Sequence, residues 1–327
     1  MKWKPSELNS LETWFKANKR PLPWRSTSDP YKIWISEVML QQTTVTAVIP
    51  FFKRFIKRLP TVKKLSAARE ETVKELWTGL GYYSRAKNLH KSGKILAKHK
   101  DFPQTYTELI KLPGFGDYTS RSVSSIAFKE PVGVVDGNII RVFSRRFNKP
   151  WQWWKTADKK EIQNLADDAV AGRDSSDINQ ALMELGATIC TPKKPACLMC
   201  PFLKNCEGRK AGTFLELPTK RKKKPVEIWK LDFTINQNGE KFLLTQNTKA
   251  PFLKNEYLFP LRAKKLADKP KKYDFKHSIT NHNIFVTVKK KKAATKASKN
   301  SKWVTQSSIK KVSPFSLIQK SLEHISK

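Results

Sequence analysis

Acidic residues are scarce in this chain, with 28 Asp+Glu against 64 Lys+Arg and a formal net charge of +36. That deficit argues against a basic partner and favours a polyanion, above all a phosphate backbone, where each neutralised phosphate releases counterions. A solvated lysine surplus is the bland alternative. Long apolar runs are missing too: no stretch approaches the ~20 residues that a membrane helix needs. The N-terminus MKWKPSELNS has no apolar signal core, so a soluble, cytosolic protein is expected. Scarcity of core-forming residues does not apply, because 327 residues at 39% hydrophobic content exclude a disordered polycation.

Cysteine is absent outside one segment. All four lie in CTPKKPACLMCPFLKNC, spaced Cys190-x6-Cys197-x2-Cys200-x5-Cys206. A disulfide framework would spread its cysteines through the fold, whereas one tight cluster without histidine reads as metal ligation. From the chemistry of four thiolates, zinc and a [4Fe-4S] cube both remain open.

Strand signals are missing before about residue 226. What stands there instead is helical. DPYKIWISEVMLQQT offers Asp29 as N-cap and Pro30 at the first helical position. ETVKELWTGLG places Val73, Leu76, Trp77 and Leu80 on one face and stops at Gly81. TYTELIKLPG has Thr105 and Glu108 in capping-box spacing, and INQALMELGATIC puts Ile178, Ala181, Leu182 and Leu185 on one face. TFLELPTKRKKKP reads as a linker over 213–226. Beyond it, two alternating runs flank Asn238-Gly239, a strong hairpin signal, and NIFVTV near 285 is a further strand. The run KKKK at 289–292 reads as a solvated loop. The expected fold is therefore mainly α over 1–212, followed by a small α+β domain over 227–327.

Two motifs carry chemistry. LPGFGDYTS joins helices with Gly114 and Gly116, which allow positive φ and close backbone approach, while the next helix offers free N–H groups to an anion. The same turn also serves as a plain connector, but in so basic a chain it reads as a phosphate clamp over about 105–128. Two carboxylates stand in unlike settings. Glu37 lies one turn beyond Ile33 and Trp34 on a helix that reads as buried, where an unpaired carboxyl has a raised pKa suited to proton donation. Asp136 lies in VGVVDGNIIR, where an Asp-Gly turn needs no chemistry. As a pair they fit glycosidic-bond cleavage, one carboxyl protonating the leaving group and the other facing an oxocarbenium-like centre.

Together these motifs resemble the helix-hairpin-helix DNA glycosylases that carry an iron–sulfur cluster, the endonuclease III superfamily, and within it the adenine DNA glycosylase (MutY) family. The resemblance runs from about Arg20 to Cys206 through PLPWR, PYKIWISEVMLQQT, WTGLGYYSRAKNLH, LPGFGDYTS, VVDGN, NQALMELGA and the cysteine spacing. It implies a [4Fe-4S] cluster on Cys190, Cys197, Cys200 and Cys206. It makes Glu37 the acid for the adenine ring and Asp136, supported by Asn138, the carboxylate beside the sugar cation. A flipped adenine would meet Arg20, Trp24, Arg25 and Gln180, with Gln42 and Tyr82 entering the vacated stack. Gly114 and Gly116 would hold the backbone of double-stranded DNA containing A:8-oxoguanine or A:G mispairs, bound by a monomer.

Tyr118 occupies the position where strand-cutting relatives place a Schiff-base lysine, so the resemblance implies base release without strand cleavage. The tail resembles a degenerate Nudix-like domain that inspects 8-oxoguanine. There FKHSITNH has Ile279, Thr280 and Asn281 where the family frequently has Phe-Ser-His. The competing readings are a bifunctional endonuclease III-like glycosylase/lyase, a non-catalytic DNA-binding iron–sulfur protein and a zinc-dependent DNA-binding protein.

Overall fold

The computed structural model describes residues 1–292 and 300–325. Helices come first: α1 (Pro5–Asn18), α2 (Pro30–Leu40), α3 (Val45–Arg58), α4 (Val62–Ala67), α5 (Glu70–Trp77), α6 (Ser84–Leu96), α7 (Tyr106–Leu109), α8 (Asp117–Phe128), α9 (Gly137–Arg146), α10 (Thr156–Val170), α11 (Ser175–Thr188) and the short α12 (Glu207–Lys210). Strands follow as β1 (Glu227–Asn238), β2 (Lys241–Gln246), β3 (Tyr257–Leu258), β4 (Leu261–Leu266), β5 (Phe275–Ile279), β6 (His282–Lys292) and β7 (Ser301–Thr305), then α13 (Gln306–Val312) and α14 (Ser316–Ile325). No described helix is long and apolar enough to cross a membrane.

The chain divides into two compact units, one of residues 1–68 and 82–221, the other of residues 69–81 and 222–327. In the first, local signals act as read. Asp29 caps α2 by accepting from the Tyr31 amide at 2.9 Å, with Pro30 at its first position. Thr105 and Glu108 form their capping box, although α7 stops after one turn, at Leu109. The predicted face of α11 is wholly buried: Ile178, Ala181, Leu182 and Leu185 are at 0% exposure. They join Trp3, Phe15, Ile139, Phe143 and Leu165 in one core that ties α1 to α9, α10 and α11. Around α2 a second set of contacts gathers α3, α6 and α8, with Trp34 stacked on Phe115 at 5.1 Å.

A segment without helix or strand, residues 132–135, runs between α8 and α9, with Gly133 and Val134 buried and no strand partner for its backbone. Side chains satisfy it instead. Asn179 accepts from the Val134 amide and donates to the Val132 carbonyl, both at 2.9 Å. Asp167 accepts from the Gly133 amide at 2.7 Å, and Gln163 donates to the Gly133 carbonyl at 2.8 Å. Gly133 is required by proximity, since a Cβ there would lie 2.1 Å from the Ala166 carbonyl carbon.

The second unit is built on one sheet, ordered β3-β2-β1-β6-β5, with β4 also on β1 and β7 on β2. The Asn238-Gly239 hairpin forms as expected, with Asn238 paired to Lys241 and Gly239 at φ 55°. Two findings differ from the sequence expectation. Residues 289–292 are not a loop: they continue β6, paired in parallel with Thr234–Gln237 of β1. Helix α5 ends at Trp77, before Gly81, and packs on α13 with Val73 and Trp77 buried.

Gly133→Ala should cost about 3 kcal/mol, because backbone rather than a flexible side chain meets the added methyl. Chemical denaturation of the two proteins checks this, and an unchanged midpoint would show that α10 shifts freely.

Candidate active site

Helix α2 is apolar almost all round, and residues 33–39 are buried. Glu37 is the one carboxylate in that run, 4% exposed. It is not unpaired, as the sequence alone had implied: the Tyr118 hydroxyl and the Ser122 hydroxyl each donate to Glu37 Oε2 at 2.7 Å. Both bonds fall on one oxygen, which leaves Oε1 for the cavity. Burial pushes its carboxyl up, the two hydroxyls and the Arg25 charge pull it down, Asp136 pushes it up, and the outcome is a pKa above the ordinary value. The Tyr118 phenol is driven well above its usual range by burial and by the nearby carboxylates, so it stays protonated.

Asp136 follows residues 132–135 and caps α9. Its Oδ1 accepts from the Ile139 amide at 2.7 Å and its Oδ2 from Asn138 Nδ2 at 2.9 Å. Burial raises its pKa despite these donors and Arg141. The Asn138 amide is oriented in turn by Arg141, which donates to Asn138 Oδ1 at 2.8 Å, to the Gly186 carbonyl at 2.7 Å and to the Cys190 carbonyl at 2.7 Å. The Asp136 carboxylate is thus connected to the start of the cysteine loop.

Both carboxylates line one cavity of about 150 Å³ together with Arg20, Trp24, Arg25, Tyr118, Asn138 and Gln180. An apolar cavity of about this volume holds one benzene. Sequence reading missed Ser122 and Glu184. Glu184 is 1% exposed and accepts from Arg20 at 2.6 and 2.8 Å and from Arg25 at 2.9 Å. Its signal was its place in NQALMELGA, one turn after Gln180 on α11. Burial would lift the Glu184 carboxyl, but the two guanidinium groups overturn that and hold it at about 2, against an ordinary 4.5.

Gln42, Tyr82, Gly114 and Gly116 lie outside this cavity. Gln42 and Tyr82 are exposed and both adopt left-handed backbone, φ 57° and 48°, a strained choice for residues of their size. Arg85 donates to the Val38 and Gln41 carbonyls at 2.7 and 2.6 Å, closing the end of α2 beside Gln42. In the hairpin only Gly114 uses positive φ, at 82°, and a Cβ there would strike Asn88. Gly116 has φ −82° and acts as the extended N-cap of α8, so of the two glycines that allow positive φ only Gly114 uses it.

Cys190, Cys197, Cys200 and Cys206 line a separate cavity of about 30 Å³ with Arg145, Ile189 and Phe214. Buried Arg145 donates to the Thr191, Pro192 and Leu217 carbonyls at 2.8, 3.0 and 3.1 Å, and reaches Cys190 Sγ at 3.5 Å. Burial pushes the Cys200 thiol up to about 12. Among the described residues no group of three or more His, Cys, Asp or Glu closes on a single metal position.

Residues 35–171 match the HhH-GPD superfamily of base excision DNA repair proteins. The adenine DNA glycosylase of Buchnera aphidicola from Schizaphis graminum is 35% identical over 250 residues, covering 76% of this chain and 72% of that protein. The chain belongs to the adenine DNA glycosylase family. Its human relative is 39% identical over 211 residues, 61% of this chain and 39% of that one. Among solved structures, a thermostable thymine-DNA glycosylase superposes with a TM-score of 0.57 at 28% identity, covering 62% of this chain and 95% of that chain. A trapped endonuclease III–DNA covalent intermediate superposes with a TM-score of 0.53 at 25% identity, covering 63% and 94%. The family match over residues 35–171 takes in Glu37, Tyr118 and Asp136 of the carboxylate cavity.

Glu184→Gln should destabilise the protein by about 2 kcal/mol near neutral pH, discounted from about 1.4 kcal/mol per pKa unit because Arg20 is 36% exposed. The carboxyl's pKa is depressed by folding, so its contribution is present above about 4.5 and is lost as pH falls toward about 2. Denaturation of parent and variant across that window should show the difference closing, and a constant difference would mean the guanidiniums do not hold the carboxylate ionised.

Proposed function

We infer that the protein is a base-excision-repair enzyme that removes adenine from duplex DNA by hydrolysing the N-glycosidic bond. The observation that carries this reading is the pairing of two carboxylates of raised pKa in one base-sized cavity, in a chain of the adenine DNA glycosylase family. A flipped adenine would enter among Trp24, Arg25 and Gln180. Glu37, protonated, donates its proton to the ring, the bond from sugar carbon to base nitrogen breaks, and neutral adenine leaves with the bonding pair. Asp136 faces the resulting sugar cation. Water adds to that carbon, and its proton restores Glu37, which leaves an abasic site.

Monofunctional chemistry fits Tyr118, whose phenol holds Glu37 and cannot form an imine. The mispairs proposed as targets are adenine opposite 8-oxoguanine or guanine. The second unit is proposed as the Nudix-like part that inspects the opposing base. Its Thr280-Asn281 turn between β5 and β6 departs from the family trio, so lesion contacts are assigned to no residue of that turn.

Cys190, Cys197, Cys200 and Cys206 would hold the [4Fe-4S] cluster. The donor set fits: four thiols face one pocket, and the charge of iron would deprotonate the Cys190, Cys200 and Cys206 thiols, whose pKa values burial raises. A bound cluster supplies a structural clamp for the loop. This chain's own contribution there is Arg145, which holds the loop's carbonyls.

Glu37→Gln should abolish adenine release while binding to an A:8-oxoguanine duplex persists, because the amide keeps shape and loses the transferable proton. In the parent, single-turnover release should fall as pH rises through the elevated Glu37 pKa. Release by the variant at the parent's rate would remove Glu37 from this role.

Tyr118→Lys places an amine near the sugar carbon. On a duplex with an abasic site it should condense with the sugar aldehyde, losing water to give an imine that borohydride traps. The parent should give little adduct; equal trapping in both would assign lyase chemistry to another lysine.

A further inference from the structure

One face of the sheet in the second unit carries cations out of proportion to its size. In β1, Leu231, Phe233 and Ile235 point into the core, so Lys230, Asp232, Thr234 and Asn236 share the other face. Register carries that face across the sheet. Lys230 pairs with Lys264 and Asp232 with Arg262 on β4, while Thr234 pairs with Lys289 and Asn236 with Lys291 on β6. On β5, Lys276 pairs with Phe285, which itself pairs with Lys230. The face therefore presents Lys230, Arg262, Lys264, Lys276, Lys289 and Lys291 around a single carboxylate. Asp232 is engaged by Lys230 at 3.6 Å. Among the described residues the other five cations have no ion-pair partner, and all five are exposed.

Lysine is a poor strand former, and like charges on facing strands repel. A stretch such as Lys289–Lys291 at the end of β6 thus works against the sheet that contains it. A polyanion laid across the face would remove that repulsion. The residues between the cations are Thr234, Asn236 and Thr287, polar groups able to hydrogen-bond phosphate oxygens. The one aromatic residue of the face, Phe285, is 3% exposed, with Tyr273 at 4.9 Å and the Lys276 ammonium over its ring. No exposed apolar anchor for a lipid interface is present among the described strand residues.

We propose that this open face of β1, β4, β5 and β6 is a second, sequence-independent docking surface for the phosphate backbone of duplex DNA, separate in chemistry from base recognition. It rests on the reading of the protein as a DNA enzyme. The face adds affinity for undamaged duplex without touching the reacting base, and its contribution is salt-dependent because it acts through counterion release.

The test uses the full chain with Arg262→Gln, Lys264→Gln, Lys289→Gln and Lys291→Gln combined. A control variant of equal charge change carries Lys271→Gln, Lys272→Gln, Lys310→Gln and Lys311→Gln, exposed positions of the same unit off the strands. Binding to a fully paired duplex is measured across about 50–200 mM salt. The face variant should bind more weakly, with a slope of log K against log salt shallower by about 2–4, since each lost phosphate contact removes about 0.9. Its single-turnover adenine release at saturating enzyme should stay within about twofold of the parent. The control variant should lose clearly less affinity.

An unchanged slope in the face variant, or an equal loss in the control, overturns the proposal. So does a loss confined to anionic phosphatidylserine vesicles, which would make the face a membrane surface. A parent that releases no adenine would defeat the proposed function instead, and the duplex-affinity comparison would still decide this face.

Discussion

A buried carboxyl keeps a raised pKa only where it is shielded from direct pairing with the cations of its own protein, and here the protein carries +36. The cavity meets that constraint with a third acid. Glu184 takes up Arg20 and Arg25, the two guanidinium groups nearest the pocket, so that neither pairs with Glu37. What hydrogen-bonds to Glu37 is two neutral hydroxyls, with the Arg25 charge acting only through space. A hydroxyl lowers a buried carboxyl's pKa less than a direct ion pair would, and burial then prevails. The division of labour among the three acids follows: one is paired and ionised, one is buried and proton-retentive, and one caps a helix.

The position of Asp136 depends on an economy of a different kind. Residues 132–135 belong to no helix or sheet, so α8, α10 and α11 each lend polar side chains to satisfy their backbone. Those bonds fix the direction in which the chain enters α9, and Asp136 falls at that entry. Removing the Asn179 amide would leave the Val132 carbonyl and the Val134 amide without these partners, which costs more than the bonds themselves contribute, whereas the Gly133 carbonyl is held twice, by Arg121 and Gln163. Arg141 then extends the rigid frame from Asn138 to the loop of the cysteines.

Helix caps, the hairpin, the face of α11 and the grouping of cysteines were legible in the sequence because each depends on residues a few positions apart. The buried setting of Glu37 was legible for the same reason. Glu184 was not, since a glutamate on an amphipathic helix reads as a solvent-facing charge until its partners, 159 and 164 positions away, are known. The lysines of β6 read as a loop because their strand identity comes only from β1, a partner remote in sequence. Which of Gly114 and Gly116 uses its left-handed freedom was not legible, since glycine permits that backbone without requiring it.

The assignment of residues 69–81 to the second unit has a consequence for how the protein is assembled. The chain passes from one unit to the other after residues 68, 81 and 221, three crossings where a tandem arrangement would have one. On the ribosome, α5 emerges some 230 residues ahead of its partner α13, so its apolar side must wait for the C-terminal segment. The units are interlaced along the sequence, and a single cut at the linker would not separate them cleanly: it would strand Val73 and Trp77 without α13 and leave the N-terminal product carrying residues 69–81 of the other unit.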